Sequence, residues 1–281
     1  MTEGAIELRD VPGPSALGGG SRRSWELLYV IAVTDFKRAY FGTALGYLWS
    51  LMRPLLTFGV LLVVFTHVFH FNSKVAHYPV FLLLNVVLFG FFQEATLGAV
   101  GSIVGHEAVV RKTQFPRLVI PLAVVFTTLF NFTLSLGVAF VFVLGFGLSP
   151  APSWLLLVPV LLALFVLTSA VSMILSVLYP RFRDVSIIWG VFAMALFYAT
   201  PVLYPLSAPS ATLRDIIALN PLTPLFCVVQ RAITDPQAPL PGSAAAGGPV
   251  RLAISIGLYV ATCVLAVVIF RREAPRIAEA L

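Results

Sequence analysis

The side chains from which an acid–base or metal site could be built are few in this sequence, and they are scattered. They comprise twelve carboxylates, four histidines and two cysteines. No two acidic residues are adjacent, and no D-D or D-x-D pair occurs. Membrane glycosyl and prenyl transferases need clustered carboxylates to hold a divalent metal and a pyrophosphate, so the pattern argues against such an enzyme. Glu94 is the only carboxylate deep in an apolar run. A lone Glu does not make the intramembrane acidic and histidine chain of a proton-driven pump. His67, His70 and His77 surround a single loop; they read either as a three-histidine metal site or as interfacial polar residues. Cys227 and Cys263 are far apart in apolar settings and read as small buried hydrophobes. No G-x-x-x-x-G-K-S/T phosphate loop is present, and Gly18-Gly19-Gly20 precede neither a strand nor a Lys-Ser/Thr pair. By that mechanism the chain binds no ATP, and no cofactor is expected in it.

The elements that must position these groups follow from hydropathy. Of the 281 residues 59% are hydrophobic and 11% charged, against about 25% charged in a soluble domain. A hydrocarbon core about 30 Å thick needs about 20 helical residues. Runs without Asp, Glu, Lys or Arg extend over 54–73, over 75–106 with Glu94 as the one interruption, over 118–180, over 185–213 and over 252–270. The 118–180 run is long enough for two spans, divided at Pro150-Ala151-Pro152-Ser153. Six spans are expected, at 47–70, 79–104, 118–147, 154–178, 185–204 and 251–270. The fold class is therefore an all-α integral membrane protein. The apolar stretch 216–230 contains Asn220-Pro221-Leu222-Thr223-Pro224 and suits a re-entrant or interfacial segment.

Charge then orients the bundle. With the amino terminus inside, the inner segments hold Arg9, Arg22, Arg23, Lys37, Arg38, Arg53, Arg111, Lys112, Arg117, Arg181, Arg183, Arg271, Arg272 and Arg276, which is 14 of the 18 basic residues. Lys74, Arg214, Arg231 and Arg251 fall outside. The positive-inside rule therefore puts both termini in the cytoplasm. Residues 1–23 read as a flexible tail, not a signal peptide, because they carry charges and glycines in place of an apolar core. Residues 273–281 form a cytoplasmic tail.

Before the first span, Trp25, Leu28, Tyr29, Ala32, Val33, Phe36 and Tyr40 recur at helical spacing, with Lys37 and Arg38 on a basic edge. The stretch 25–40 reads as an amphipathic helix lying in the membrane interface, or as a short helix packed on the bundle. The loop Gly105-His106-Glu107-Ala108-Val109-Val110-Arg111-Lys112-Thr113-Gln114-Phe115-Pro116-Arg117 joins spans two and three. A positive-inside anchor accounts for its cations but not for a helix-like stretch ending in an aromatic and a proline.

Several of these pieces resemble one family. Asp35-Phe36-Lys37-Arg38-Ala39-Tyr40-Phe41-Gly42-Thr43-Ala44-Leu45-Gly46-Tyr47-Leu48-Trp49-Ser50, followed by Arg53-Pro54-Leu55, resembles the opening signature of ABC-2 type permeases that export polysaccharides. Phe115-Pro116-Arg117 with Pro121 resembles their first cytoplasmic coupling segment. Arg183-Asp184-Val185, Thr200-Pro201-Val202-Leu203-Tyr204-Pro205 and Asn220-Pro221-Leu222-Thr223 resemble their fifth span and the segments after it. Thr200 stands where the family often has a serine. The likeness runs over about residues 25–272, in the order of the family. The subfamily is that of O-antigen, teichoic acid and cell-wall galactan exporters.

The resemblance implies a transmembrane domain over 24–272 that works as a homodimer, each copy carrying a separate ATPase that binds ATP and magnesium. It implies a coupling helix at 106–114, with Glu107, Arg111, Lys112, Phe115, Pro116 and Arg117 facing the ATPase, assisted by the interfacial-helix residues Trp25, Phe36, Lys37, Arg38 and Tyr40. Basic and aromatic residues suit that joint, since Arg pairs carboxylates bidentately and a buried aromatic anchors an interface. It implies outer gate segments over 207–232, with Pro201, Asn220, Pro221 and Arg231 at the gate.

For the substrate path, aromatic faces can stack on sugar rings without gripping them. Phe65, Phe69, Phe92, Phe192, Phe197, Tyr198 and Tyr204 are the candidates, beside the alternative that they face lipid. Arg53 either snorkels to headgroups or meets the pyrophosphate of a lipid-linked glycan. Asp184 is expected to cap the fifth helix, with Pro201 and Pro205 ending it. The expected function is outward transport of a polyprenyl-pyrophosphate-linked polysaccharide across the inner membrane. Export of a lipid or drug by the same kind of machine, and an envelope-synthesis enzyme, are the rival readings.

Overall fold

A computed structural model describes residues 21–40, 48–70, 75, 77–106 and 118–273. Among these residues every regular element is helical. The order is α1 (Ser21–Tyr40), α2 (Leu48–His67), α3 (Tyr78–Val100), a single turn α4 (Ser102–Gly105), α5 (Val119–Gly145), a 3-10 turn (Pro152–Leu156), α6 (Leu157–Leu178), α7 (Val185–Tyr198), α8 (Ala211–Ile217), α9 (Thr223–Val229) with a π turn after it (Gln230–Thr234), and α10 (Gly248–Glu273). The stretch from the 3-10 turn through α6 counts as one span, so α2, α3, α5, this stretch and α10 are five helices long and apolar enough to cross a membrane.

Helix α3 is the centre of the bundle: apart from Asn85, Gln93, Glu94 and Thr96 it is apolar around its circumference, and a helix of that kind is stable only when covered. It packs against α2, α5, α6 and α7. Its residues Tyr78, Phe81, Leu82, Leu83, Leu84, Leu88 and Phe89 are among the most deeply buried in the chain. Lipid tails are as apolar as Leu, so helices in a bilayer associate through close packing and not through escape from water. Gly98 illustrates this: a Cβ there would lie 3.1 Å from Val124 Cγ1, so the missing side chain lets α3 and α5 approach. By contrast α2 buries only Ser50 and Phe58, and α10 only Ser255, Ala266 and Phe270. Their apolar outer faces are left for lipid or another chain.

Contacts define two ends of the bundle. At one, Ile103, Ile120, Val177 and Phe270 form a small core, and Arg181 pairs with Glu273 at 3.8 Å. At the other, the start of α3 meets the segment after α7, and the start of α10 meets the turn between α8 and α9. The first is called the basic end below.

Three expectations change here. The helix expected over 25–40 begins at Ser21, so residues 21–23 are helical and not part of a tail, since nothing after Gly20 breaks the helix. The span expected over 185–204 is helical only to Tyr198, and its 14 residues rise about 21 Å, short of the ~30 Å hydrocarbon core. Pro201 and Pro205 lack the amide hydrogens a helix would need there. Asp184 does stand at the N-cap of α7, but its side chain makes no capping hydrogen bond. The stretch 207–232 resolves into the short helices α8 and α9, neither long enough to span. Cys227 on α9 is buried, which pushes its thiol up to about 12.

Candidate functional site

Residues 199–206, which continue α7 without helical structure, are held by side chains from two directions. Asn85, 1% exposed in α3, donates from Nδ2 to the Pro201 carbonyl at 3.2 Å. Tyr78 Oη donates to the Leu203 carbonyl at 2.9 Å. From the other side Asn220 Nδ2 donates to the Ala199 carbonyl at 3.1 Å and to Thr200 Oγ1 at 2.9 Å. Asn220 Oδ1 accepts from the Leu222 amide at 3.0 Å, and the Asn220 carbonyl accepts from Ser255 Oγ at 3.1 Å. A backbone without helical bonds at membrane depth must find partners of this kind. Asn220 thus ties three elements together: the end of α7, the start of α9 and the start of α10.

The same end is closed by an ion pair. Arg251 donates to Asp215 Oδ2 at 2.7 Å and to the Gly247 carbonyl at 2.7 Å. Gly247 has φ +94°, and a Cβ there would lie 2.7 Å from Ala218 Cβ. Gly247→Val is therefore expected to destabilise the protein by about 1–3 kcal/mol through strain and overlap, seen as a lower midpoint in a detergent thermal-unfolding assay. An unchanged midpoint would contradict that packing.

A cavity of about 630 Å³ opens between α2, α3 and α5 on the half of the bundle toward the basic end. Its polar lining is Ser50, Arg53, Thr57, Gln93, Glu94, Thr128, Asn131 and Ser135, and Trp49, Phe89, Phe91, Phe132 and Phe197 add aromatic walls. Asn131 Nδ2 donates to Glu94 Oε1 at 3.1 Å, which ties α5 to α3 across the cavity. The threonines of these helices mostly return their hydroxyls to carbonyls one turn back, as Thr96 and Thr128 do, so they present little free hydrogen-bonding capacity to lipid.

At the basic end α1 is seated on α5. Leu28 and Ala32 are buried there, Thr127 Oγ1 donates to the Ala32 carbonyl at 3.1 Å, and Trp25 and Phe36 meet Phe126 and Phe130 edge-on. His106, the last described residue before the 107–117 loop, lies 3.5 Å from Asp35. Tyr29 and Val30 remain largely exposed, and so does Trp25 beside its contact with Phe126. One helix thus combines the two readings open from its sequence: a stripe packed on the bundle and an apolar face left over for the interface.

The structure brings together some expected site residues and separates others. Arg53 and Phe197 share the cavity. Phe65 and Phe69 stack on each other at 5.0 Å at the far end of α2. Phe192 and Tyr198 are exposed on α7, and Tyr204 folds back to donate to the Tyr198 carbonyl. Phe92 lies inside the bundle against Phe89 and Trp189. Pro201 belongs to the held turn, Asn220 and Pro221 lie between α8 and α9 with Asn220 holding that turn, and Arg231 closes a local turn by donating to the Ala238 carbonyl. Phe36 and Lys37 lie on α1. Arg38 and Tyr40 also belong to α1, but their side chains lie outside the described residues, as do Glu107, Arg111, Lys112, Phe115, Pro116 and Arg117 altogether. Among the described residues His67, His70 and His77 do not gather into a three-ligand metal site.

Sequence reasoning missed Tyr78, Asn85, Asn131 and the Asp215–Arg251 pair. Asn85 and Asn131 are polar residues inside otherwise apolar runs, a signal lost when only ionisable residues interrupt a run.

Comparison with known proteins places this architecture. The chain is 32% identical over 203 residues to an O-antigen export system permease protein RfbA of Klebsiella pneumoniae, covering 72% of this chain and 78% of that protein. It is 32% identical over 221 residues to the RfbA permease of Myxococcus xanthus, covering 76% and 82%. Residues 26–233 match the ABC-2 type transporter family, a stretch that runs from α1 through the held turn to the π turn after α9. A multi-pass helical membrane protein with that match over most of its length is a member of the ABC-2 type transporter family, the membrane-embedded part of a transporter.

Proposed function

We propose that this chain is the permease of a polysaccharide exporter, and that it moves a polyprenyl-pyrophosphate-linked glycan outward across the inner membrane. The observation that carries the reading is the likeness to two O-antigen export permeases over about three quarters of the chain. Work comes from ATP and magnesium bound by a separate ATPase, two copies of which sit beneath two copies of this chain. The absence of a phosphate loop from the sequence agrees with that division of labour. The basic end is cytoplasmic, as 14 of 18 cations require, and both termini lie there. The loop Glu107 to Arg117 then faces the ATPase, with α1 beside it. The segments after α7, with Asn220 and Pro201, form the outer gate.

Deleting the gene should remove the surface polysaccharide and leave its lipid-linked precursor inside. Replacing Phe115-Pro116 by Ala-Ala should return ATP hydrolysis by the co-purified partner to its unstimulated rate while membrane insertion stays normal. Hydrolysis unchanged by that substitution would remove the coupling role from this loop. A wild-type level of surface glycan in the deletion strain would remove the function.

A further inference from the structure

His106 ends α4 beside α1, immediately before the 107–117 loop, and an oxygen faces each of its ring nitrogens. Nδ1 lies 2.9 Å from the Ser102 carbonyl, one turn back, and Nε2 lies 3.5 Å from Asp35 Oδ2 on α1. A carbonyl and a carboxylate only accept hydrogen bonds. A neutral imidazole carries one N–H, so it serves one of these oxygens and turns a lone pair on the other. With the proton on Nδ1 the bond to Ser102 is kept, and the Nε2 lone pair opposes Asp35. With the proton on Nε2 the Asp35 contact is kept, and two acceptors meet at 2.9 Å. Only the imidazolium, a donor at both nitrogens, satisfies the arrangement.

Among the described residues His106 is the one ion-pair partner of Asp35. Helices α5 and α6, which pack on α4, bring no Asp, Glu, Lys or Arg between residues 118 and 180. The charge of α3 is Glu94, about three turns earlier and hydrogen-bonded to Asn131. Arg181, Arg183 and Asp184 follow α6 and are exposed. Helix α10 reaches this end through Phe270 and carries Arg271, Arg272 and Glu273, of which Glu273 pairs with Arg181. On α1, Glu26 sits about two and a half turns before Asp35, and Lys37 is exposed. Glu107 and the side chain of Arg38, the other charges close in sequence, lie outside the described residues. The rest of the α1 seat is Leu28, Ala32 and the ring contacts of Trp25 and Phe36, which do not titrate. Asp35 and His106 are 25% and 26% exposed, so protons from bulk water reach them.

We infer that His106 and Asp35 form a proton-operated clamp between α1 and the entrance to the 107–117 loop, through which cytoplasmic pH regulates coupling to the ATPase. The inference rests on the proposed function, which puts this end in the cytoplasm and the coupling role in that loop. Histidine changes charge between about pH 5 and 8. The clamp is closed at the acid end of that range, and it opens as rising pH takes the proton. Opening frees the end of α1 nearest the loop and leaves the remainder of the helix seated.

The test uses the full chain purified with its ATPase in detergent. Stimulation is the hydrolysis rate of the complex divided by that of the ATPase alone, so the motor's own pH response cancels. It should fall about threefold from about pH 6 to about pH 8, the size of a partly exposed ion pair. His106→Lys keeps a positive charge throughout and should hold stimulation high and flat. Asp35→Asn offers the neutral ring a donor and the charged ring an acceptor, so it too should lose the slope. A flat profile in the wild type, or an unchanged slope in either variant, overturns the inference. A second measurement needs neither variant. The chain has four histidines, and replacing His67, His70 and His77 by Gln leaves His106 as its single one. Its ¹⁵N-histidine spectrum should show both ring nitrogens protonated at the acid end and the Nδ1–H tautomer at the alkaline end. An Nε2–H tautomer there would overturn the inference, because it breaks the bond to Ser102. Surface glycan is scored separately in the gene-deletion strain. Lost glycan keeps the export reading even when the clamp fails, whereas unaltered glycan sinks that reading whatever the pH profiles show.

Discussion

Asn220→Ala is expected to abolish export while leaving the chain in the membrane. The side chain donates to the Ala199 carbonyl and Thr200 Oγ1 and accepts from the Leu222 amide, so truncation deletes three hydrogen bonds at one point. At about 1 kcal/mol each, the loss is about 3 kcal/mol, concentrated on a segment that has no helix of its own to fall back on. Among the described residues, the side-chain hydrogen bonds that other elements make to residues 199–206 would then come from α3 alone, from Tyr78 and Asn85. Surface polysaccharide should drop to the level of the deletion strain, and limited proteolysis should cut between residues 199 and 222 at a lower protease dose. Asn220→Asp keeps the acceptor and loses the donors, so it should fall between alanine and wild type. Export within about twofold of wild type in the alanine variant would show that export does not depend on the three bonds to residues 199–222, since their loss predicts a far larger effect.

On the proposed function, Ala32→Phe should uncouple ATP hydrolysis by the partner from export. Ala32 is 1% exposed where α1 crosses α5, and its carbonyl accepts from Thr127 Oγ1. No room exists for a ring, and overpacking of this kind costs about 1–3 kcal/mol. Helix α1 would be lifted from α5, and the Asp35–His106 contact would be lost with it, next to the loop for which we propose the coupling role. ATP hydrolysis by the co-purified partner should lose its stimulation by at least about fivefold, as expected for 1 kcal/mol or more of disrupted docking. Tyr29→Ala, on the exposed face of the same helix, should leave stimulation in place. Equal stimulation in Ala32→Phe and wild type would mean that the seating of α1 plays no part in coupling.

Much of the fold was legible because a bilayer imposes a one-dimensional rule. A helix that crosses it must be long and free of charge, so counting charge-free residues located α2, α3, α5, α6 and α10 within a few positions of their ends. Local chemistry gave the breaks as well, at Pro150–Pro152 and at Asn220–Pro221. The rule weakened at 185–204, where the run is apolar throughout but the prolines halt the helix at Tyr198. Hydropathy measures solvent preference, not hydrogen bonding, and could not see that residues 199–206 draw their partners from α3 and Asn220.

The sequence by itself determined the membrane class, the uneven distribution of the cations along the chain and the stretches able to span, since each depends on residue type and spacing along one chain. Tertiary structure alone decided that α3 is the hub, that Phe92 is interior, that α1 is seated on α5, and that Glu94 and Asn131 meet across a cavity. The physical reason is that a helix apolar around most of its circumference carries no stripe to say which face turns inward. Its neighbours are chosen by close packing and by a few polar pairs, and those pairs join residues far apart in the chain.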